Sequence, residues 1–327
     1  MNNTLTDATV LITGGTGTFG NAFLDRCLAS GVREVRIFSR DEKKQYDMAQ
    51  RYRSLGFDNV QFYLGDIRNK PSIDAAMYGV DYVFHAAAMK QVPSCESFPM
   101  EAEKTNIVGS ENVLVSAVQK RVKKVVCLST DKAVYPTSAM GMTKAYMEKL
   151  AIQKACQQDR TEICITRFGN LVASRGSAVP LFIEQVRDGC PITITDPDMT
   201  RFMMTVGEAT ELVERAFMNG KNGELLVRRA KACTTGDLAK AVCRYLDLPD
   251  TYPTNIIGMR PGEKMHESLL TEEEADLAIE RDGFFVVSRS NVTSKRIPDV
   301  YKSDKAERMS ENDVLNLIES VIGGKGE

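Results

Sequence analysis

At 327 residues, 43% hydrophobic and 26% charged, the chain is long enough to bury more than one core. Its 42 Lys and Arg against 44 Asp and Glu leave a formal charge of -2, which gives no global attraction for nucleic acid or an anionic membrane, so any anionic ligand has to be held by a local site. Eight cysteines without a CxxC pair and two histidines, His85 and His266, supply too few ligands for a zinc site; no metal is expected, and the thiols read as reduced small hydrophobes.

The opening, MNNTLTDATVLITGG, lacks a basic region followed by a long apolar stretch, and no later run reaches the length of a membrane span; the expected place is the cytoplasm. From residue 8 to about 170, the runs ATVLIT, EVRIFS, NVQFYLGD, DYVFHAAA, KKVVCLST and EICITRF read as strands. Helical patterns lie between them over 21–30, 43–54, 100–121 and 140–154. This βαβ rhythm predicts a Rossmann-like, doubly wound parallel sheet over residues 1–170. Beyond 170, segments rich in Pro, Gly, Thr and Asp alternate with helical stretches over 208–218 and 235–246, which predicts a smaller mixed α/β lobe over 171–327, possible interleaving included, closed by a helix over 310–322.

The first strand runs into Thr13-Gly14-Gly15-Thr16-Gly17-Thr18-Phe19-Gly20, a glycine loop opening a helix. Gly14, Gly17 and Gly20 remove Cβ atoms that would keep a pyrophosphate from the backbone N–H groups and the positive helix terminus. An NAD site usually ends the second strand with an acid for the ribose 2′-hydroxyl; here Ser39, Arg40 and Asp41 stand at that place with Lys43 and Lys44 one turn on, which suits a 2′-phosphate and points to NADP. Asp66 and Ile67 follow the third strand at the adenine position, and Ala86, Ala87 and Ala88 follow the fourth, where small side chains let a nicotinamide ribose lie close. His85, within an apolar strand end, reads as a satisfied buried histidine.

After the fifth strand come Ser129-Thr130-Asp131-Lys132 and then Met140-Gly141-Met142-Thr143-Lys144. The pattern resembles the extended short-chain dehydrogenase/reductases, with Met140 where their catalytic Tyr is expected. The strings TGGTGTFG, FSRDEKKQ, HAAAMKQVPSCE, KTNIVGSENVL, LSTDKAVYP, RFGN, SRGSAVPLF, TDPDMTRF and RPGEKMHE, from about residue 8 to about 290, closely resemble the UDP-N-acetylglucosamine 4,6-dehydratases, above all the members that invert C5.

The resemblance implies hydride removal from C4, loss of the C5 proton and the 6-hydroxyl, and hydride return to C6. It implies Asp131 as the acid, Lys132 as the C5 base, Thr130 beside the 4-hydroxyl and Lys144 on the nicotinamide ribose; Tyr135, a few residues on, is an alternative candidate for carrying a proton. It extends the cofactor site to Thr16, Thr18, Phe19, Lys90, Met140 and Leu171, and it implies substrate contacts from Lys90, Asn170, Val179, Thr195, Met199, Arg260 and Glu263. Arg167, Arg175 and Arg201 are further phosphate candidates that could equally be structural ion pairs.

An adjacent Asp–Lys pair favours the charged forms, the wrong states for an acid and a base. Lowering a Lys pKa by roughly 3 units takes about 4 kcal/mol, more than the ~1 kcal/mol felt by a pair about 4 Å apart in water, so desolvation is expected to dominate. A C5-retaining dehydratase, a UDP-sugar 4-epimerase or reductase, and a catalytically inactive NADP sensor stay open beside the main reading. Family members assemble, which implies a homo-oligomer, a dimer or a higher assembly up to a hexamer, through helices after the fourth and fifth strands.

Overall fold

The computed structural model describes residues 4–172, 174, 176–249, 251–289 and 301–323. Strands β1 (Thr9–Thr13), β2 (Glu34–Ser39), β3 (Val60–Leu64), β4 (Tyr82–His85), β5 (Lys124–Leu128) and β6 (Glu162–Arg167) run parallel in the order 3-2-1-4-5-6. Their register sets Ile12 of β1 beside Ile37 on one side and Phe84 on the other. β1 and β4 are buried throughout, as strands covered by helices on both faces must be. The strand order reverses between β1 and β4, which opens a crevice at their carboxyl ends.

The crossovers are α1 (Thr18–Ala29), α2 (Glu42–Ser54), α3 (Lys70–Ala76), the short α4 (Val92–Ser97) and α5 (Pro99–Glu103), α6 (Gly109–Gln119) and α7 (Ala139–Cys156). The single helix expected over 100–121 is three pieces, because a π-helical turn over Lys104–Val108 separates α5 from α6. That turn carries the buried Asn106, whose Oδ1 accepts from Met89 N at 2.8 Å and whose Nδ2 donates to Met89 O and to Thr143 Oγ1, both at 3.0 Å. One side chain thereby ties the loop after β4 to α7, a use typical of π-turns near functional sites.

Past residue 170 follow β7 (Asn170–Leu171), α8 (Ala178–Arg187), β8 (Ile192–Ile194), β9 (Thr200–Met204), α9 (Val206–Asn219), β10 (Leu225–Arg228), β11 (Ala232–Thr234), α10 (Thr235–Tyr245), β12 (Thr254–Ile256), α11 (Glu272–Asp276), β13 (Ala278–Arg281), β14 (Phe284–Val287) and α12 (Glu311–Ile322). The two parts interleave: β10 joins the large sheet parallel to β6, and β14 and β13 extend it antiparallel to nine strands. A second core gathers Val179 and Phe182 of α8, Ile192 of β8, Leu238 and Val242 of α10, and Val314 and Ile318 of α12. Capping boxes start four of the late helices, Thr205 with Glu208, Thr234 with Asp237, Thr271 with Glu274 and Ser310 with Asp313, which is why their beginnings are sharp.

The C-terminal segment crosses back before α12. Tyr301 stacks on Phe202 with ring centroids 5.1 Å apart and donates to Ala230 O at 2.7 Å, and the fully buried Ser303 pairs with Thr200 Oγ1 at 2.6 Å. All eight cysteines are free thiols, and among the described residues no helix is long and apolar enough to cross a membrane.

Candidate active site

The carboxyl ends of β1, β2, β4 and β5 border a cleft of about 680 Å³. Gly14 turns through the left-handed region at φ +67°, and a Cβ there would stand 2.8 Å from the backbone of Ala87. Gly17 caps α1 without a side-chain hydrogen bond, so the first-turn N–H groups of Thr18 and Phe19 lie uncapped at the cleft wall. This is the cradle a pyrophosphate needs. Thr16, Ile67, Ala86, Ala87, Ala88, Lys90, Met140 and Leu171 also line the cleft. Gly20 does not: a Cβ there would collide with the backbone of Gly15, so this glycine lets α1 pack against its own turn.

Ser39, Arg40, Asp41, Lys44 and Asp66 line the far end. Gln45, which sequence reading passed over, fixes this corner: its buried amide donates to Ser39 O at 3.0 Å and Tyr63 O at 2.9 Å. The Arg40 side chain remains 61% exposed with Nη1 3.8 Å from Asp66 Oδ2, and Lys44 pairs with Asp41 at 2.7 Å. Lys43 is a correction: it points to solvent, pairs with Asp47 one turn along at 2.9 Å and does not line the cleft. Burial pushes the Asp66 carboxyl up, but hydrogen bonds from the Arg68 side chain and backbone and the charge of Arg40 hold it below the usual range.

At the end of β5, Thr130 Oγ1 donates to Asp131 Oδ1 at 2.8 Å, and Lys132 Nζ reaches the same oxygen at 3.1 Å. Asp131 is fully buried; Thr130 and Lys132 line the cleft and Asp131 sits behind them, its Oδ2 without a hydrogen-bond partner among the described residues. Lys132 Nζ also lies 3.7 Å from Glu267 Oε1 and 3.5 Å from Asn170 Oδ1. Burial lowers the Lys132 pKa, but Asp131 and Glu267 together outweigh it and hold the ammonium above the ordinary lysine value. The expectation that desolvation dominates is therefore overturned for the resting site, because two carboxylates rather than one face this ammonium.

Lys144, on α7, donates to Leu128 O at 2.5 Å, and its burial drops the pKa to about 8. His85 is fully buried between Thr13 Oγ1 at 2.7 Å and Ser110 Oγ at 2.9 Å, and burial lowers its pKa to about 3; it is a satisfied core imidazole. Tyr135 faces neither cleft: its hydroxyl accepts from Glu272 N at 3.1 Å.

A second, smaller cleft of about 260 Å³ adjoins the first, and Lys132, Asn170, Leu171, Gly176 and Ser177 line both. Val179, Thr195, Met199, Arg260 and Glu263 line the second one, which with Asn170 gathers six of the seven expected substrate positions, and Arg201 lines it beside them. Glu263 Oε2 accepts from Arg260 N at 3.0 Å, closing the turn that presents the Arg260 guanidinium. Arg167 is a structural ion pair and not a phosphate ligand: buried, it contacts Glu148 at 2.6 Å and Glu274 at 2.7 Å and donates to Leu269 O at 2.9 Å. Arg175 lies outside the described residues.

Residues 10–289 match the family model described as polysaccharide biosynthesis protein. The chain belongs to the polysaccharide biosynthesis protein family. Within reach of this family lies a UDP-glucose 4-epimerase of Rickettsia akari, 51% identical over 285 residues, which are 85% of this chain and 82% of the relative. Among solved structures, Pen from Bacillus thuringiensis superposes with a TM-score of 0.91 at 37% identity over 97% of this chain and 98% of that one. A dTDP-glucose 4,6-dehydratase of Streptomyces venezuelae, solved with NAD bound, gives 0.70 at 21% identity over 79% of this chain and 86% of that one, a likeness of fold alone.

In this family member, sequence reading missed Asn106, Gln45, Lys264 and Glu267. Glu267 stands 135 residues from Lys132, and no local spacing signals that contact. Asn106 leaves a signal only in hindsight, a polar residue on the inner face of a long amphipathic stretch.

Proposed function

We propose that the protein is an NADP-dependent UDP-N-acetylglucosamine 4,6-dehydratase that inverts C5. The observation that carries this reading is the trio Thr130, Asp131 and Lys132, hydrogen-bonded to one another at the junction of a dinucleotide cleft and a second cleft. A simple 4-epimerization needs no acid and base at C5 and C6.

The cradle formed by Gly14, Gly17 and the start of α1 fits a pyrophosphate, and Arg40 and Lys44 at the end of β2 fit a 2′-phosphate. When bound, the dinucleotide supplies reversible hydride exchange with the sugar. Lys144, its pKa lowered to about 8, offers a positive charge to the ribose hydroxyls and to an oxyanion forming at C4.

Met140 cannot take the 4-hydroxyl proton, but Thr130 can pass it on, since its Oγ1 already donates to Asp131. Asp131, once protonated, is the acid for the departing 6-hydroxyl; because it lies buried behind Thr130 and Lys132, its unpartnered Oδ2 reaches that oxygen only after this turn shifts on sugar binding. The same proton transfer removes one of the two carboxylates that keep Lys132 charged, so the ammonium can release its resting proton to solvent and the neutral amine takes the C5 proton. A proton delivered from water on the opposite face of C5, as hydride returns to C6, then inverts the centre. Arg260 and Arg201, which line the second cleft, and Lys90, which lines the first, would take the UDP phosphates in this reading.

Incubation with UDP-N-acetylglucosamine in deuterated water tests this: loss of 18 Da with deuterium at C5 and inverted couplings is the expected result. A retained C5 configuration moves the protein to the retaining class. A second reading has support of its own, the epimerase name of the Rickettsia akari relative. It requires a C4 epimer at unchanged mass, and that outcome removes the dehydratase reading.

Phe98, Met100, Val108, Met142 and Tyr146 are exposed apolar side chains on α4 to α7 and their connections, and they support a homo-oligomer built through this face. A monomer by light scattering removes that part. The product would serve the assembly of a surface polysaccharide or glycan.

A further inference from the structure

We propose that Glu267 is a positioning residue for Lys132, a carboxylate brought from the second part of the chain to hold the ammonium together with Asp131. The proposal rests on the dehydratase reading, in which Lys132 receives the C5 proton.

Glu267 is 2% exposed, and an isolated buried carboxylate is costly, so its surroundings have to compensate it. Its Oε1 lies 3.7 Å from Lys132 Nζ, and its Oε2 lies 2.9 Å from Lys264 Nζ. Lys264 also donates to Val134 O at 2.9 Å and so grips the loop that carries Asp131 and Lys132. The main chain of Glu267 is fixed on both sides by one residue: Glu267 N donates to Ser303 Oγ at 2.9 Å, and Ser303 N donates to Glu267 O at 2.8 Å. Each of its oxygens faces an ammonium, Oε2 by charge alone, since it makes no hydrogen bond among the described residues.

The charged groups around Lys132 are Asp131 on its own turn, Glu267 from the segment before α11 and Arg201 from β9, with the Asn170 amide oxygen at 3.5 Å. Those around Glu267 are Lys132, Lys264 and Arg201, and they keep its carboxyl below the usual range although burial pushes it up. The neighbouring His266 is turned to Thr200 Oγ1 at 2.9 Å. When the C5–H bond breaks, its electron pair stays on the sugar as an enolate and its proton goes to Lys132 Nζ. Glu267 stabilises the ammonium that results. It strengthens the base, and it delays the loss of the resting proton as pH rises.

A residue that only braced the loop would change stability and leave the titration of Lys132 in place. The NADP-loaded protein, reductively methylated with ¹³C-formaldehyde, reports that titration directly, with the Lys132 signal assigned by its disappearance in Lys132→Arg. Glu267→Gln is expected to lower the Lys132 midpoint by about one pH unit, the low end for loss of one opposite charge within about 4 Å. The acid limb of kcat/KM for UDP-N-acetylglucosamine should move down with it while the plateau falls, as expected for a weaker base. Glu267→Asp keeps the charge and should restore most of the midpoint; if Glu267→Gln does not fold, Glu267→Asp alone should give a smaller move in the same direction.

A Lys132 midpoint unchanged in the folded variants overturns the proposal, whatever the enzyme turns over. A midpoint that moves in a protein that leaves UDP-N-acetylglucosamine intact upholds the pairing and overturns the dehydratase reading.

Discussion

The ammonium of Lys144 donates to the Leu128 carbonyl oxygen at 2.5 Å, joining α7 to the last residue of β5. Burial at this junction lowers the Lys144 pKa to about 8 from an ordinary 10.5. A depressed lysine pKa means that between pH 8 and 10.5 the folded protein binds fewer protons than the unfolded chain, so this group adds stability as pH rises through that window. The gap corresponds to roughly 3 kcal/mol. Urea unfolding of the wild type and Lys144→Met at pH 7.5 and pH 10 should show the wild type gaining up to about this amount relative to the variant. Parallel changes in the two proteins would contradict the placement.

Lys132→Ala should abolish C5 deuterium uptake, by roughly 10²-fold or more, while the dinucleotide stays bound. Removing the ammonium leaves Asp131 and Glu267 short of a partner, at a cost of roughly 1–3 kcal/mol. Exchange detected by NMR at the wild-type rate would take Lys132 out of the base role.

The corner after β2 separates two cations that look alike in sequence. Arg40→Ser should weaken NADP about tenfold, some 1.4 kcal/mol, and leave NAD unchanged. Lys43→Ala should alter neither, because its exposed pair with Asp47 one turn away contributes at most about 0.5 kcal/mol. Calorimetric titration with both dinucleotides reads the difference, and equal affinities for NADP and NAD in the wild type would remove the 2′-phosphate reading.

Arg167→Met leaves Glu148 and Glu274 without their shared cation and should destabilise the fold by about 3–5 kcal/mol. Dinucleotide affinity should be unchanged wherever the variant is folded. Weakened UDP binding at wild-type stability would instead return Arg167 to the phosphate site.

The parallel doubly wound sheet was legible because parallel strands buried on both faces write themselves as short apolar runs separated by helical patterns. The glycine loop was legible for the same local reason, though Gly14 and Gly20 do different work: one opens the cleft and the other closes a helix onto its turn. Local pattern failed where tertiary contacts decide. The helix from Met100 onward is interrupted where Asn106 reaches Met89 and Thr143, and Lys132 faces Glu267, which arrives from the segment before α11. Arg167 and Arg201 were alike in sequence, and only the packing of Glu148 and Glu274 around one of them separates their uses.

The family match ends at residue 289, yet Ser303 clasps the main chain of Glu267 from both directions and Tyr301 lies flat on Phe202. A shortened version cut at the family boundary would keep every residue of the glycine loop and of the Thr130–Lys132 turn and still lose the keel beneath them. Such a fragment should bind dinucleotide like the whole protein and handle sugar poorly, so a harmless-looking trim of the tail would be mistaken for an inactive enzyme.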